Sequence, residues 1–410
     1  MRPFEQRRVL LGVTGGIASY KSVSLARLLT QAGAEVDVVM SRSALEFVGA
    51  VTFEALTGRP VYTALIAAGH ALDHIRLARA AHVIVVAPAT ADFLARAAHG
   101  HADDLLTAAL LAADAPVLLV PAMNDRMWDH GQTRRNVEHV RELGYRVLDP
   151  EIGPLAVGEG SGAGRMPEPE TIMAHIGRML DGDGVLRGRR VLVTAGGTRE
   201  AIDPVRYISN RSSGRMGVAI AAAAWRRGAE VTLVAGPMTV DPPVGVTVER
   251  VETTEAMRDA VAAQLGDADV LVMAAAPADF RPAAPAAQKI KKAGAPAAIA
   301  VEPTDDILLS TRGLRRAGAV IVGFALETES PVLGGEAKLA GKGLDLVVVN
   351  DATEPGAGFG VDTNRVTLLA AGVAPEELPL LSKDEVADRI LDRVDGLLLA
   401  REAGGSRRGR

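Results

Sequence analysis

Short apolar runs punctuate the chain, and between them apolar positions recur every three or four residues. In the first half the runs predict strands at Val9–Val13, Val36–Met40, Val83–Ala87, Val117–Val120 and Arg146–Leu148, while "YKSVSLARLLTQAG" and "TRRNVEHVRELG" carry helical periodicity. The second half repeats the scheme. Strands are expected at Val191–Thr194, Val231–Val234, Val270–Ala274, Val320–Val322 and Leu346–Val349, with a further one at Arg365–Leu369. "DEVADRILDRVDGLLLA" reads as an amphipathic helix that closes the half. Strands alternating with helices imply parallel sheets covered on both faces. The expected fold class is therefore α/β, two tandem Rossmann-like three-layer domains with mainly parallel sheets. "LDGDGVLRGRR", Leu180–Arg190, lacks apolar periodicity and reads as a linker between domains at 1–180 and 190–400, with 401–410 as a flexible basic tail.

One unit recurs. "VLLGVTGGIASYKSVSLARLLTQAGAEVDVVM" begins at Val9, and "VLVTAGG" at Val191 leads to "AIAAAAWRRGAEVTLVAG" from Ala219. Each copy is a strand, a glycine pair, a helix and a "GAEV" opening the next strand. The second copy has an inserted polar loop, "TREAIDPVRYISNRSSGRMG". Loops at the carboxyl end of a first strand are where open α/β sheets bind ligands, so the two copies are expected to hold different ones.

Composition sharpens this picture. Aromatic residues are 3% of the 410, so the cores must be built from Ala, Val, Leu and Ile, which suits strands buried on both faces. A net charge of −5 gives no footprint for nucleic acid. The absence of cysteine excludes disulfides and thiolate-bound metals. The N-terminal apolar run breaks at a glycine pair without a cleavage site, and no uncharged run is long enough for a bilayer. A cytoplasmic protein with no membrane partner is expected.

Several segments carry candidate chemistry. Thr14, Gly15, Gly16, Ile17 and Ala18 lie between a strand and a helix, where free N–H groups favour phosphate; a ligand-free tight turn fits the same residues. The segment is not a G-x-G-x-x-G fingerprint, which argues against an NAD-dependent oxidoreductase. Pro88, Ala89 and Thr90 follow another strand with side chains small enough for close approach of a ring or phosphate. "PAMNDRMW" brings Met123 and Asn124 to the same sheet end, with an amide suited to a carboxylate. His70 and His74 have the i, i+4 spacing of zinc ligands, but no third ligand has matching spacing, and His74 could equally serve as a base. Only seven of the 45 Lys and Arg residues are lysine, and five of those are Lys289, Lys291, Lys292, Lys338 and Lys342. A compact ammonium on a flexible stem suits phosphates in motion; two solvated loops are the plainer reading. "GEAKLAGKG" lacks the spacing and the hydroxyl of a P-loop. Asp279 in "ADFRP", with Asp305 and Asp306, would complete a nucleoside triphosphate and Mg²⁺ site.

Together, "GVTGGIASYK", "DHIRL", "APATAD", "PAMNDRMW", "DPVRYISNRSSGRMG", "ADFRP", "KIKK" and "GFALE" resemble, in order and approximate spacing, the bifunctional phosphopantothenoylcysteine decarboxylases/phosphopantothenate–cysteine ligases of coenzyme A biosynthesis. The resemblance covers residues 7 to 400. It implies an FMN-dependent decarboxylase domain, with the cofactor cradled by Thr14–Ala18, Ser41 and Pro88–Thr90, a catalytic His74, and Asn124, beside Met123, on the substrate carboxylate. It implies a second domain that ligates cysteine to 4'-phosphopantothenate with CTP. There Asn210 would stabilise the acyl-cytidylate and Lys289 the triphosphate. Arg206, Ala275, Asp279, Thr304, Asp305, Asp306, Ile307, Phe324, Lys338 and Lys342 would bind substrate, Asp279 also meeting Mg²⁺. A homo-oligomer is implied as well.

Three segments depart from the family pattern. Its lid normally carries a cysteine that protonates the decarboxylated intermediate; here "LAVGEGSGAGRMPEP" has Val157 at or next to that position, with Glu159 or water the nearest substitutes. Asp103 stands where asparagine is usual, and Thr304–Asp305 replaces an Asn-Pro pair. Val157 motivates an alternative, an active ligase whose flavin domain is impaired or serves assembly or regulation.

Overall fold

The first strand shows why these apolar runs lack polar alternation: both its faces are covered. In Arg8–Val13, residues Val9, Leu11 and Val13 join one core with Leu25 and Leu29 of helix Ser19–Gln31 and Ile172 and Ile176 of helix Pro169–Asp181. Leu10 joins the opposite core with Phe93, Leu94, Leu106 and Val137. Gly12 lies on that second face, and a Cβ there would come within 2.6 Å of the Leu106 side chain, so the glycine seats helix Leu105–Leu111 directly on the strand.

The computed structural model describes all residues except 1–2, 67–70, 156–157, 159, 292–297, 328–330, 352–360 and 409–410. His70, Val157, Glu159 and Lys292 thus lie outside the described residues. The chain forms two compact units, Met1–Asp181 and Gly182–Arg410. No described helix is long and apolar enough to cross a membrane.

The sheet of the first unit is wholly parallel. Its strands lie side by side in the order Val61–Tyr62, Glu35–Met40, Arg8–Val13, Val83–Ala89, Val117–Pro121 and Arg146–Val147. Chain order reverses between Arg8–Val13 and Val83–Ala89, and a crevice at their carboxyl ends is the expected ligand position. The sheet of the second unit follows the same rule: Thr247–Arg250, Glu230–Ala235, Arg190–Ala195, Val270–Met273, Val320–Glu327 and Leu346–Asp351 are parallel, and Val366–Ala370 and Glu376–Glu377 add an antiparallel edge. Here the reversal falls between Arg190–Ala195 and Val270–Met273.

Besides edge strands that the sequence pattern did not predict, such as Val61–Tyr62 and Thr247–Arg250, the structure differs from the sequence expectations in three places. Leu186 is wholly buried and the Gly188 N–H donates to the Gly228 carbonyl at 3.1 Å, so the segment expected as a linker is, from Gly182 on, part of the second unit. Helix Lys383–Arg408 continues through most of the segment expected as a tail; Arg401 holds it down by donating to the Gly318 carbonyl at 2.9 Å and to Asp345. An antiparallel hairpin, Glu151–Pro154 with Ser161–Arg165, forms where no strand was expected, because its glycine-rich residues carry no apolar alternation.

Candidate active sites

In the first unit, the reversal point is stitched shut at its floor. The Thr14 hydroxyl donates to the Pro88 carbonyl at 2.7 Å and accepts from the Thr90 N–H at 3.1 Å. The Ser22 hydroxyl donates to the Ala87 carbonyl at 2.6 Å, and that of Ser19 donates to the Gly16 carbonyl at 2.5 Å. Thr90 caps helix Ala91–Ala98, its hydroxyl accepting from the Phe93 N–H. Ser41 caps the short 3₁₀ turn Arg42–Glu46 in the same way. A Cβ on Gly15 would lie 2.3 Å from the Ser43 hydroxyl and 2.8 Å from its backbone, so that turn can close over the glycine only if no side chain is there. At Gly16 a Cβ meets nothing nearer than 4.0 Å, leaving its backbone open to a ligand. Thr14, Ser41 and Thr90 line a cavity of about 400 Å³ with Arg42, Phe93 and Arg96. Ile17, 69% exposed, lies outside its walls. Arg96 is paired with Asp104 as well as Asp103, so the departure at Asp103 adds a carboxylate to a guanidinium already paired.

His74 and Asn124 stand on other elements and do not line that cavity. His74 sits in the first turn of helix Asp73–Ala80, and its Nδ1 is buried without a hydrogen-bond partner among the described residues. The helix is fixed by Arg76, which donates to Asp73 at 3.0 Å and to the Tyr62 hydroxyl at 2.9 Å. Asn124 caps helix Asp125–Asp129, its Oδ1 accepting from the Arg126 N–H at 2.9 Å, which leaves its amide N–H groups available. The unexpected hairpin lies against this turn: the Met123 N–H donates to the Gly164 carbonyl at 3.1 Å. Alternating glycines in "GSGAG" were the overlooked signal for that close approach.

In the second unit two adjoining cavities open at the carboxyl ends of Val270–Met273 and Val320–Glu327. The larger, about 550 Å³, is walled by Asn210–Gly217, Ala274–Pro277, Asp279, Phe324, Lys338, Asn350, Asn364 and Lys383. The smaller, about 180 Å³, is walled by Asp279, Thr304–Leu308, Phe324, Lys338 and Lys342. Ala275, Asp279, Phe324 and Lys338 border both. Helix Arg215–Arg226 begins at the larger one with Gly214 as a cap that supplies no side-chain acceptor, so its first turn has no side-chain cap among the described residues. Asn210 reaches across, donating to the Pro277 carbonyl at 2.8 Å. The buried Asn350 Oδ1 has no partner among the described residues, an acceptor at the end of an apolar run that sequence reading passed over. Burial pushes the Asp306 carboxyl up, but the Lys342 ammonium and the Leu309 N–H outweigh it and hold it below the usual range. The Thr304 hydroxyl donates to the Ala278 carbonyl at 2.6 Å, and Asp305 pairs with Arg258. No group of three or more metal-ligating side chains occurs among the described residues.

Arg206 and Lys289 fall outside both cavities. Arg206 donates to Asp203 at 2.9 Å through Nε and to the Ile290 carbonyl at 2.7 Å; Lys289 itself is exposed. Asp203 is the anchor of this loop. The Arg206 guanidinium and the N–H groups of Val205, Ile290 and Arg206 hold its carboxyl far below the usual carboxylate range. A depressed carboxyl stabilises the fold above its unfolded value, about 4, and that contribution is lost only as pH falls toward the lowered one. Asp203→Asn is accordingly expected to speed exchange of the Ile290 amide at neutral pH, whereas the unsubstituted protein should keep it protected down to about pH 4. Equal protection in both at neutral pH would remove Asp203 from the role of anchor.

The family model described as "Flavoprotein" matches residues 2–181, and that described as "DNA/pantothenate metabolism flavoprotein C-terminal domain" matches residues 186–397. The coenzyme A biosynthesis bifunctional protein CoaBC of Mycobacterium tuberculosis is 48% identical over 404 residues, covering 95% of this chain and 96% of that protein. That of Bacillus subtilis is 42% identical over 396 residues, covering 95% and 97%. A solved C-terminal domain of CoaBC is 38% identical, covering 53% of this chain and all of that one, with a TM-score of 0.46.

Proposed function

This chain belongs to the CoaBC family of bifunctional coenzyme A biosynthesis enzymes, which carry a ligase and a decarboxylase activity, and on that premise we propose how its two units divide the chemistry. The first is the FMN-dependent phosphopantothenoylcysteine decarboxylase. The second is the CTP- and Mg²⁺-dependent phosphopantothenate–cysteine ligase. The observation that carries this reading is a pair of cavities at the carboxyl ends of two parallel sheets, one lined in the first unit by the hydroxyl residues Thr14, Ser41 and Thr90, the other lined in the second unit by the start of helix Arg215–Arg226 and Lys338 and adjoining a cavity lined by Lys338 and Lys342.

In the first unit the bare backbone of Gly16 and the hydroxyls of Ser41 and Thr90 fit a flavin phosphate and ribityl chain. FMN, when bound, supplies a reversible two-electron oxidation that turns the cysteinyl thiol into a thioaldehyde, the electron sink that decarboxylation needs. His74 takes the thiol proton through its unclaimed Nδ1. Asn124 holds the carboxylate through its free amide N–H groups.

In the second unit the phosphopantothenate carboxylate attacks the α-phosphorus of CTP, pyrophosphate leaves, and the cysteine amine then displaces CMP from the acyl-cytidylate. Charge builds on phosphoryl oxygens, so fixed positive groups lower the barrier most. The first-turn N–H groups of helix Arg215–Arg226 and the ammonium groups of Lys338 and Lys342 are those groups here. Asp279, which borders both cavities, would help hold Mg²⁺ on the nucleotide phosphates, and the metal would offset charge on the phosphoryl oxygens. Exposed Ile17, Tyr20, Phe47 and Val51 support a homo-oligomer built through the first unit.

Incubation with phosphopantothenate, cysteine, CTP and Mg²⁺ followed by mass spectrometry tests the whole reading. Phosphopantetheine is the expected product. Accumulated phosphopantothenoylcysteine would leave only the ligase half standing, and no condensation at all would refute the CTP site.

A further inference from the structure

We propose that Asp125 is the acid that protonates the enethiolate left when carbon dioxide departs in the first unit. The proposal rests on the reading of that unit given above and names a residue to which that reading assigns no role. Loss of carbon dioxide leaves an electron pair on the carbon that bore the carboxylate, and that carbon must gain a proton before the thioaldehyde can be reduced to the thiol. The donor must therefore stand beside the group that held the carboxylate, which is Asn124.

The geometry points to one side chain. The Arg126 N–H donates at once to Asn124 Oδ1 at 2.9 Å and to Asp125 Oδ1 at 2.8 Å, so the amide and the carboxyl converge on a single nitrogen. Asp125 Oδ2 accepts no hydrogen bond among the described residues, and it faces the hairpin strand Ser161–Arg165. A Cβ on Gly162 would come within 2.6 Å of that oxygen, and one on Gly164 within 2.1 Å of the Met123 carbonyl. Two glycines thus let the strand lie directly over the turn, with the carboxyl in the seam. The other groups of that seam are poor donors. The guanidinium groups of Arg126 and Arg165 do not release a proton near neutrality, and the Ser161 hydroxyl is a far weaker acid. The chain has no cysteine to offer.

Negative charge forms on the carbon beside Asn124 at this step, and the half-buried Asp125 carboxyl is the acid group that the turn places next to it. The O–H bond of Asp125 breaks, and a C–H bond forms at the carbon that lost carbon dioxide. The C=C–S⁻ unit thereby becomes CH–C=S, and the carboxylate is reprotonated from water after the product leaves. Bound FMN would supply the two-electron reduction that returns to the thioaldehyde the electrons taken from the thiol.

The full-length Asp125→Asn variant, supplied with phosphopantothenoylcysteine without oxygen, tests this by carbon dioxide release, flavin absorbance and product mass. In one turnover carbon dioxide should still be released, the flavin should stay bleached, and the product should be the enethiol, two hydrogens lighter than phosphopantetheine. Phosphopantetheine formation should fall by about 10²-fold, and Asp125→Glu should recover part of it. Phosphopantetheine at the unsubstituted rate overturns the proposal. So does loss of carbon dioxide release in both variants while flavin remains bound, which would assign Asp125 to an earlier step. Enethiol accumulation in Glu159→Gln but not in Asp125→Asn would assign the proton to Glu159 instead. Should the unsubstituted protein release no carbon dioxide, the decarboxylase reading fails first and the proposal with it.

Discussion

His74→Asn is expected to lower carbon dioxide release by about 10²- to 10⁴-fold, the range for losing a positioned acid–base group, while cysteine ligation stays within about twofold, no ligase group being touched. The structure supplies the reason. His74 is held by a short helix that is itself pinned through Arg76 to Asp73 and Tyr62, yet its Nδ1 is buried with no partner among the described residues. A buried nitrogen without a partner costs free energy unless something else meets it during function. Asparagine keeps a polar side chain near that position but is no base at neutral pH. Bound flavin, read by its absorbance, should persist, because His74 does not line the cavity of Thr14, Ser41 and Thr90. Loss of both activities would mean that the substitution damages the fold rather than the chemistry; retained carbon dioxide release would remove His74 from the reaction.

The second large effect is expected at Lys338. It borders both cavities of the ligase unit and is tethered by a hydrogen bond from its ammonium to the Phe324 carbonyl. Lys338→Gln keeps length and a donor but removes the charge. If fixed charge stabilises the leaving pyrophosphate, ligation should fall by about 10²- to 10³-fold, mainly in kcat. Decarboxylation of supplied phosphopantothenoylcysteine should be unchanged. A rise in KM for CTP alone, with kcat preserved, would instead assign Lys338 to ground-state binding. Lys342 should matter less, since its ammonium is already committed to Asp306.

Family membership leaves little room for a flavin domain kept only for assembly: the bifunctional relatives match along nearly the whole chain. Val157 lies outside the described residues.

The sequence by itself determined the two mainly parallel sheets. Runs such as "VIVVAPA" and "VLLVP" are apolar without alternation because helices cover both faces, and that signature survives in one dimension. The glycine pairs were legible for a related reason, since a tight strand–helix turn needs small residues in sequence. What lies far apart in the chain was decided only by tertiary structure. The hairpin reaches Met123–Asp125 because Gly162 and Gly164 come within van der Waals range of residues some forty positions earlier, and no local periodicity encodes that approach. The resemblance assigns Arg206 to substrate, and only the fold shows that its guanidinium also donates to Asp203 and the Ile290 carbonyl. The expected strand stops at Val349, whereas the fold extends it to Asp351 and leaves the buried Asn350 Oδ1 without a partner among the described residues while its amide donates to Asn364 at 3.3 Å. Residue type fixes what a side chain can do; which partners use up its hydrogen bonds is settled only when the chain folds back on itself.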